Sequence, residues 1–133
     1  MISLESVNGK FSDAERVACI PIIERMTKLI VLYRREGIFS LMDELKPDDC
    51  SFLKGVIYRT VVGINDEDEI LIMTNLIMAD RRSNLDLLSR MITGIGLFYM
   101  RIGGYELIGR LEMSALLGEK YMLELNPDFF NID

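Results

Sequence analysis

Apolar and polar positions along this chain repeat mostly with a helical period. Ile22, Ile23, Met26, Leu29, Ile30 and Tyr33 recur at three- and four-residue steps, while Glu24, Arg25, Lys28, Arg34 and Arg35 fall mainly on other faces, so the spacing predicts an amphipathic helix. Its start is marked upstream: Ser12-Asp13-Ala14-Glu15 has the spacing of a capping box, in which a serine hydroxyl and a glutamate satisfy each other's backbone amides. Pro21 either kinks this helix or marks a later start, because proline lacks an amide donor. Gly37 interrupts the stripe before Ile38-Phe39-Ser40-Leu41, and the expectation is continuity or a one-turn adjustment over a break into a short helix ending near Lys46-Pro47.

Beyond Pro47, Asp48 or Asp49 can cap a helix carrying Phe52, Leu53, Val56, Ile57 and Tyr58, with Gly63 as its stop. The β-branched residues between Tyr58 and Val62 leave a strand as the alternative there. Asn65 with Asp66-Glu67-Asp68-Glu69 places a cap and four acids at the positive end of another helix, which carries Ile70, Leu71, Met73, Leu76, Ile77 and Met78. A last helical region runs from about Leu85 to Leu125, divided in two at Gly103-Gly104, and Asn126-Pro127 ends it with Phe129 and Phe130 on a short tail. The expected fold is all-α: one helical domain over residues 1–133, built as a compact bundle of about four to six helices, with an N-terminal arm at 1–11 and a C-terminal tail at 126–133.

Composition narrows the function classes. The net charge of -6 and the scattered basic residues, as at Arg34-Arg35 and Arg81-Arg82, provide no stripe to neutralise a phosphate backbone, so no nucleic-acid partner is expected. Met1 to Asp13 lacks the basic start and apolar run of a signal peptide, and the uncharged stretch Met91 to Met100 is about half of the ~20 residues that span a bilayer. No membrane span and a cytoplasmic location are expected. Cys19 and Cys50 read as reduced thiols, since a chain that is half hydrophobic needs no disulfide to hold its core.

There is no histidine, which removes the commonest general base, the commonest metal ligand and every Ser-His triad. Asp66 to Glu69 fails as a calcium loop, because Leu71 stands where the turn needs glycine and Ile77 where a bidentate glutamate belongs. Asp43-Glu44 and Asp48-Asp49 are adjacent acids of the kind solvated at helix ends. Gly94-Ile95-Gly96 begins like a dinucleotide-binding loop, but Tyr99 takes the place of the third glycine; glycines 94, 96, 103, 104 and 109 read as sites where helices approach or bend. No enzyme activity, metal or cofactor is expected.

The segment Leu32-Tyr33-Arg34-Arg35-Glu36-Gly37-Ile38-Phe39-Ser40-Leu41 resembles the start of the cytoplasmic region of MotA, the flagellar stator subunit of the MotA/TolQ/ExbB proton-channel superfamily. Ser51-Phe52-Leu53-Lys54-Gly55-Val56, then Val61-Val62-Gly63 and an acidic helix start, is similar to the family's "FLRKG…VVDG…D" pattern, so the resemblance covers about residues 22–72. It implies that Arg34 stands where the family has an arginine that contacts the rotor. The family's acid directly after Ser-Leu is Met42 here, with Asp43 and Glu44 shifted beyond it. This sequence shows no counterpart of the family's membrane helices, so the resemblance implies an interaction module and not a channel.

The leading expectation is a protein–protein interaction module with Arg34, Arg35, Asp43 and Glu44 on its partner-binding face, the partner being a flagellar rotor or stator component. Two alternatives stand beside it. Met91 to Gly118, with Phe129 and Phe130, would bury a symmetric interface in a structural homo-oligomer. Tyr58, Phe98, Tyr99, Tyr105 and Tyr121 would line the pocket of a small-molecule sensor.

Overall fold

The capping box forms as its spacing predicts: the Ser12 hydroxyl accepts from the Glu15 amide at 3.1 Å and the Glu15 carboxylate accepts from the Ser12 amide at 2.8 Å. The computed structural model of the chain describes residues 11–37, 39–49, 53–55, 57–58 and 83–130. The box starts a helix of only six residues, α1 (Asp13–Ala18). A second helix, α2 (Ile20–Glu36), begins after Cys19 with Pro21 in its first turn, where a missing amide costs nothing. Of the two options for Pro21, the later start holds.

Gly37 ends α2 with φ at +88°, a conformation that L side chains rarely adopt, and its amide closes the helix on the Tyr33 carbonyl at 2.9 Å. The expected continuity therefore gives way to a separate short helix, α3 (Phe39–Glu44), near whose start the Ser40 hydroxyl donates to the Gly37 carbonyl. Asp48 or Asp49 was expected to cap the following helix, a position next to residues 50–52 outside the described ones. The Asp49 carboxylate accepts from the Lys46 amide at 2.7 Å and from Arg25 at 2.8 Å, closing the turn behind α3. Residues 53–55 and 57–58 are helical, with Leu53 and Ile57 buried, as the apolar spacing there predicts. The Gly63 stop, the acidic helix start at Asn65–Glu69 and Cys50 lie outside the described residues.

The C-terminal region holds α4 (Asn84–Arg101), α5 (Glu106–Ala115), α6 (Glu119–Leu125) and α7 (Pro127–Phe130). The break at Gly103-Gly104 was expected, and Gly103 has φ at +67°. A second break was not: Gly118, with φ at +99°, separates α5 from α6, so the region has three pieces before Asn126 and not two. Pro127 opens one further turn of helix in place of a loose tail, and Asn126 is buried, its amide donating to the Ser114 hydroxyl at 2.7 Å and the Met122 carbonyl at 2.6 Å. At the other end Phe11, assigned to the arm, is buried in the core. The described residues thus form an all-α bundle, with seven helices and no strand among them.

Helix α2 is central to the packing. Cys19 lies against Ser89 and Met26 against Gly96, so α2 and α4 run parallel with a constant offset of 70 residues. Helix α5 returns antiparallel after the Gly103 turn and crosses α2 where Gly109 meets Ile30. A Cβ added at Gly96 would stand 2.8 Å from the Met26 Cβ, so this glycine sets the separation of the two long helices. Ile23, Leu29, Ile92 and Leu97 are fully buried between these helices, each contributing about 1.5–3 kcal/mol by leaving water. Buried hydroxyls are satisfied within their own helices, Thr27 by the Ile23 carbonyl and Thr93 by the Ser89 carbonyl.

Candidate partner-binding surface

Because α2 and α4 are parallel, their C-terminal ends lie at one end of the bundle, and the N-terminus of α5 joins them there through the Gly103 turn. The last turns carry Arg34 and Arg35 on α2 and Arg101 on α4, where cations meet the negative end of the helix dipole; Glu106 stands in the first turn of α5, where an anion is favoured. Large apolar side chains crowd the same end without being covered. Phe39 is 73% exposed, Ile102 59% and Tyr105 53%, and Phe98, one turn before Ile102 on the same face of α4, is exposed as well. Such a grouping at one end of a helical unit is unlike the singly scattered apolar residues of an ordinary surface.

Arg34 organises this end. Its guanidinium meets the Glu106 carboxylate at 2.5 Å and lies 5.9 Å from the centre of the Tyr105 ring. The hydrogen bond from Arg34 holds the Glu106 carboxyl below the usual carboxylate range and raises the guanidinium further above neutrality, so both stay charged. Arg35, one position on, is exposed.

The other two expected residues sit on α3. Helix α3 folds back so that Glu44 reaches Arg25, which donates to the Glu44 carboxylate at 3.1 Å and to the Glu44 carbonyl at 3.0 Å. Arg25 and Arg34 are nine residues apart, which at 100° per residue puts them on opposite sides of α2 and about 13 Å apart along its axis. Arg34 and Arg35 are therefore together, Asp43 is exposed on α3, and Glu44 belongs to a separate cluster around Arg25. The residues that complete each cluster, Glu106 for Arg34 and Arg25 for Glu44, were not singled out by sequence reasoning. The one signal for the first was an acid at a helix start beside Tyr105.

Of the aromatic residues grouped as a pocket lining, Phe98 and Tyr99 pack edge to face with ring centres 5.6 Å apart, while Tyr105 and Tyr121 lie at opposite ends of α5. Tyr105 stands before α5 and Tyr121 beyond its far end, about 15 Å of helix away. The Tyr121 hydroxyl donates to the Asp13 carboxylate, a bond that pushes the phenol's pKa up and ties α6 to α1. Burial, with help from Glu112, pushes Tyr99 up to about 12. Cys19 is buried and free, 3.7 Å from the Ser89 hydroxyl, and burial pushes its thiol up, which disfavours the reactive thiolate.

Among the described residues no cluster of acids and cysteines is suited to a metal ion, and no helix is long and apolar enough to cross a membrane. No protein-family model matches the chain, and no curated protein or solved structure matches it either.

Proposed function

We propose that this chain is a non-enzymatic protein–protein interaction module, comparable in role to the cytoplasmic part of a flagellar stator subunit, that docks a protein partner at the end of the bundle around Arg34. The observation that carries this reading is the grouping of uncovered Phe39, Ile102 and Tyr105 with the Arg34–Glu106 pair at one end. Arginine and aromatic residues set among apolar ones are the side chains that dominate protein interfaces. The charges tune association rate and partner choice, and the apolar tips supply the buried area. The resemblance at Leu32–Leu41 adds the flagellar rotor or a second stator component as the partner to try first.

The test is quantitative affinity capture from the host lysate with the wild-type chain, Arg34→Glu and Ile102→Asp, followed by direct binding to each purified rotor protein that is recovered. A rotor protein bound by the wild type and lost in both variants is the expected outcome. Equal binding by all three chains overturns the site.

A second reading is favoured by Phe98 and Ile102, exposed one turn apart on α4 inside the Met91–Gly118 region: a homo-oligomer pairing that face. The glycines of the region do not add to it, since Gly96 and Gly109 are already occupied by Met26 and Ile30 of the same chain. Sedimentation across a wide concentration range separates the two, because only the oligomer changes mass without a second protein.

A further inference from the structure

We propose that residues 39–49, helix α3 with the turn behind it, form a strap that opens as a unit while the α2–α4–α5 core stays folded, and that Arg25 is the latch that holds it closed. The strap begins at Gly37, where φ of +88° stops the helix and nothing lies within 4 Å of the place a Cβ would take. That is a joint with room to turn. At its far end the chain is anchored again by buried Leu53 and Ile57, so opening is a bulge between two fixed points and not the fraying of a terminus.

Between these points the strap is thinly held. Leu41 is its only fully buried side chain, Leu45 packs at the edge of the core, and among the described elements α3 packs substantially against α2 alone. Among the described residues one guanidinium supplies the strap's ion pairs: Arg25 takes the Glu44 carboxylate, the Glu44 carbonyl and the Asp49 carboxylate, Asp49 in turn accepts from the Lys46 amide, and the only tie from beyond the strap's far end is the Lys54 ammonium donating to the Pro47 carbonyl at 2.9 Å. Helices α5 and α6 have several unlike ties. Helix α5 has two ion pairs to α2 and the Gly109 crossing, while α6 has the Tyr121–Asp13 bond and is followed by the buried amide of Asn126. Local opening favours segments with few buried apolar contacts and solvent-reachable polar ones, and among the described residues between Gly37 and Leu53 the strap is such a segment. Once it lifts, the buried Leu41 side chain is uncovered on a helix whose Phe39 and Met42 are already exposed.

Amide hydrogen exchange read by mass spectrometry tests it on the full chain, with Arg25→Gln and, as a matched control, Arg110→Gln, which removes the ion pair to Glu24. In Arg25→Gln the amides of 39–49 are expected to exchange roughly tenfold faster or more, with α4 and α5 at wild-type rates and the strap unchanged in Arg110→Gln. Unchanged strap amides, or equal acceleration in α4, would overturn the latch. In the wild type itself, strap exchange should be nearly insensitive to low denaturant while α4 exchange is sensitive; strap amides that follow the denaturant dependence of α4 would overturn separate opening, even if Arg25→Gln failed to fold.

Discussion

Two sides of α2 are built differently. Toward α4 and α5 it offers apolar side chains and the Met26–Gly96 and Ile30–Gly109 crossings, so that shape holds the helices in place. Toward α3 it offers Leu41 a seat and then relies on one arginine. The difference teaches that attachment strength in this protein follows the kind of contact more than the number of bonds that can be drawn. Interdigitated apolar packing cannot be relieved without a cavity or a clash, whereas water can compete for each bond at a partly exposed guanidinium.

The largest effect is expected from a cavity on the packed side: Ile92→Ala should lower the unfolding free energy by about 2–5 kcal/mol in urea titrations. Next comes a pair of glycine substitutions. Gly96→Ala should destabilise by about 1–3 kcal/mol, because the new methyl meets the Met26 Cβ, which is fixed to the backbone. Gly109→Ala should be close to neutral, since its nearest neighbour is the far end of Ile30 at 3.0 Å, which can turn away, and alanine regains about 1 kcal/mol of helix propensity. If both glycines behaved alike, the two crossings would not differ as described.

A smaller change, about 0.2–1 kcal/mol, is expected for Arg110→Ala, whose pair with Glu24 is partly open to water. The smallest effect is in pH. At Asp49 partial burial works against the charged form, but the Lys46 amide and Arg25 outweigh it and hold the carboxyl low; at Glu106 the Arg34 bond does the same. The unfolded chain therefore takes up these protons first as pH falls. Their contribution is fully present above about pH 5 and is lost progressively as pH falls from the unfolded values near 4 through the lower folded ones, and Glu106→Gln should flatten the urea midpoint across that window.

Much of the all-α architecture was legible in the sequence, because it is written in local signals. Ser12 and Glu15 announce the first helix, and five of the residues buried in α2 fall on or beside the predicted stripe. What was missed depends on conformations or partners that a period does not record. Gly37 and Gly118 look like tolerable glycines until their positive φ is seen. The Arg34–Glu106 and Arg25–Asp49 pairs join residues brought together by packing, so no spacing announces them. As a result the four residues proposed from the stator resemblance divide between two sides of α2.

The parallel course of α2 and α4 governs how the chain can reach this structure. Cys19 meets Ser89 and Met26 meets Gly96 across 70 residues, so the main helix pair of the core cannot form as a hairpin and must wait for a long loop to close. Folding should be slower than in an up-and-down bundle of equal length. By the same logarithmic cost, lengthening the crossover would matter little for closure: even doubling its length adds only about 0.6 kcal/mol of closure entropy.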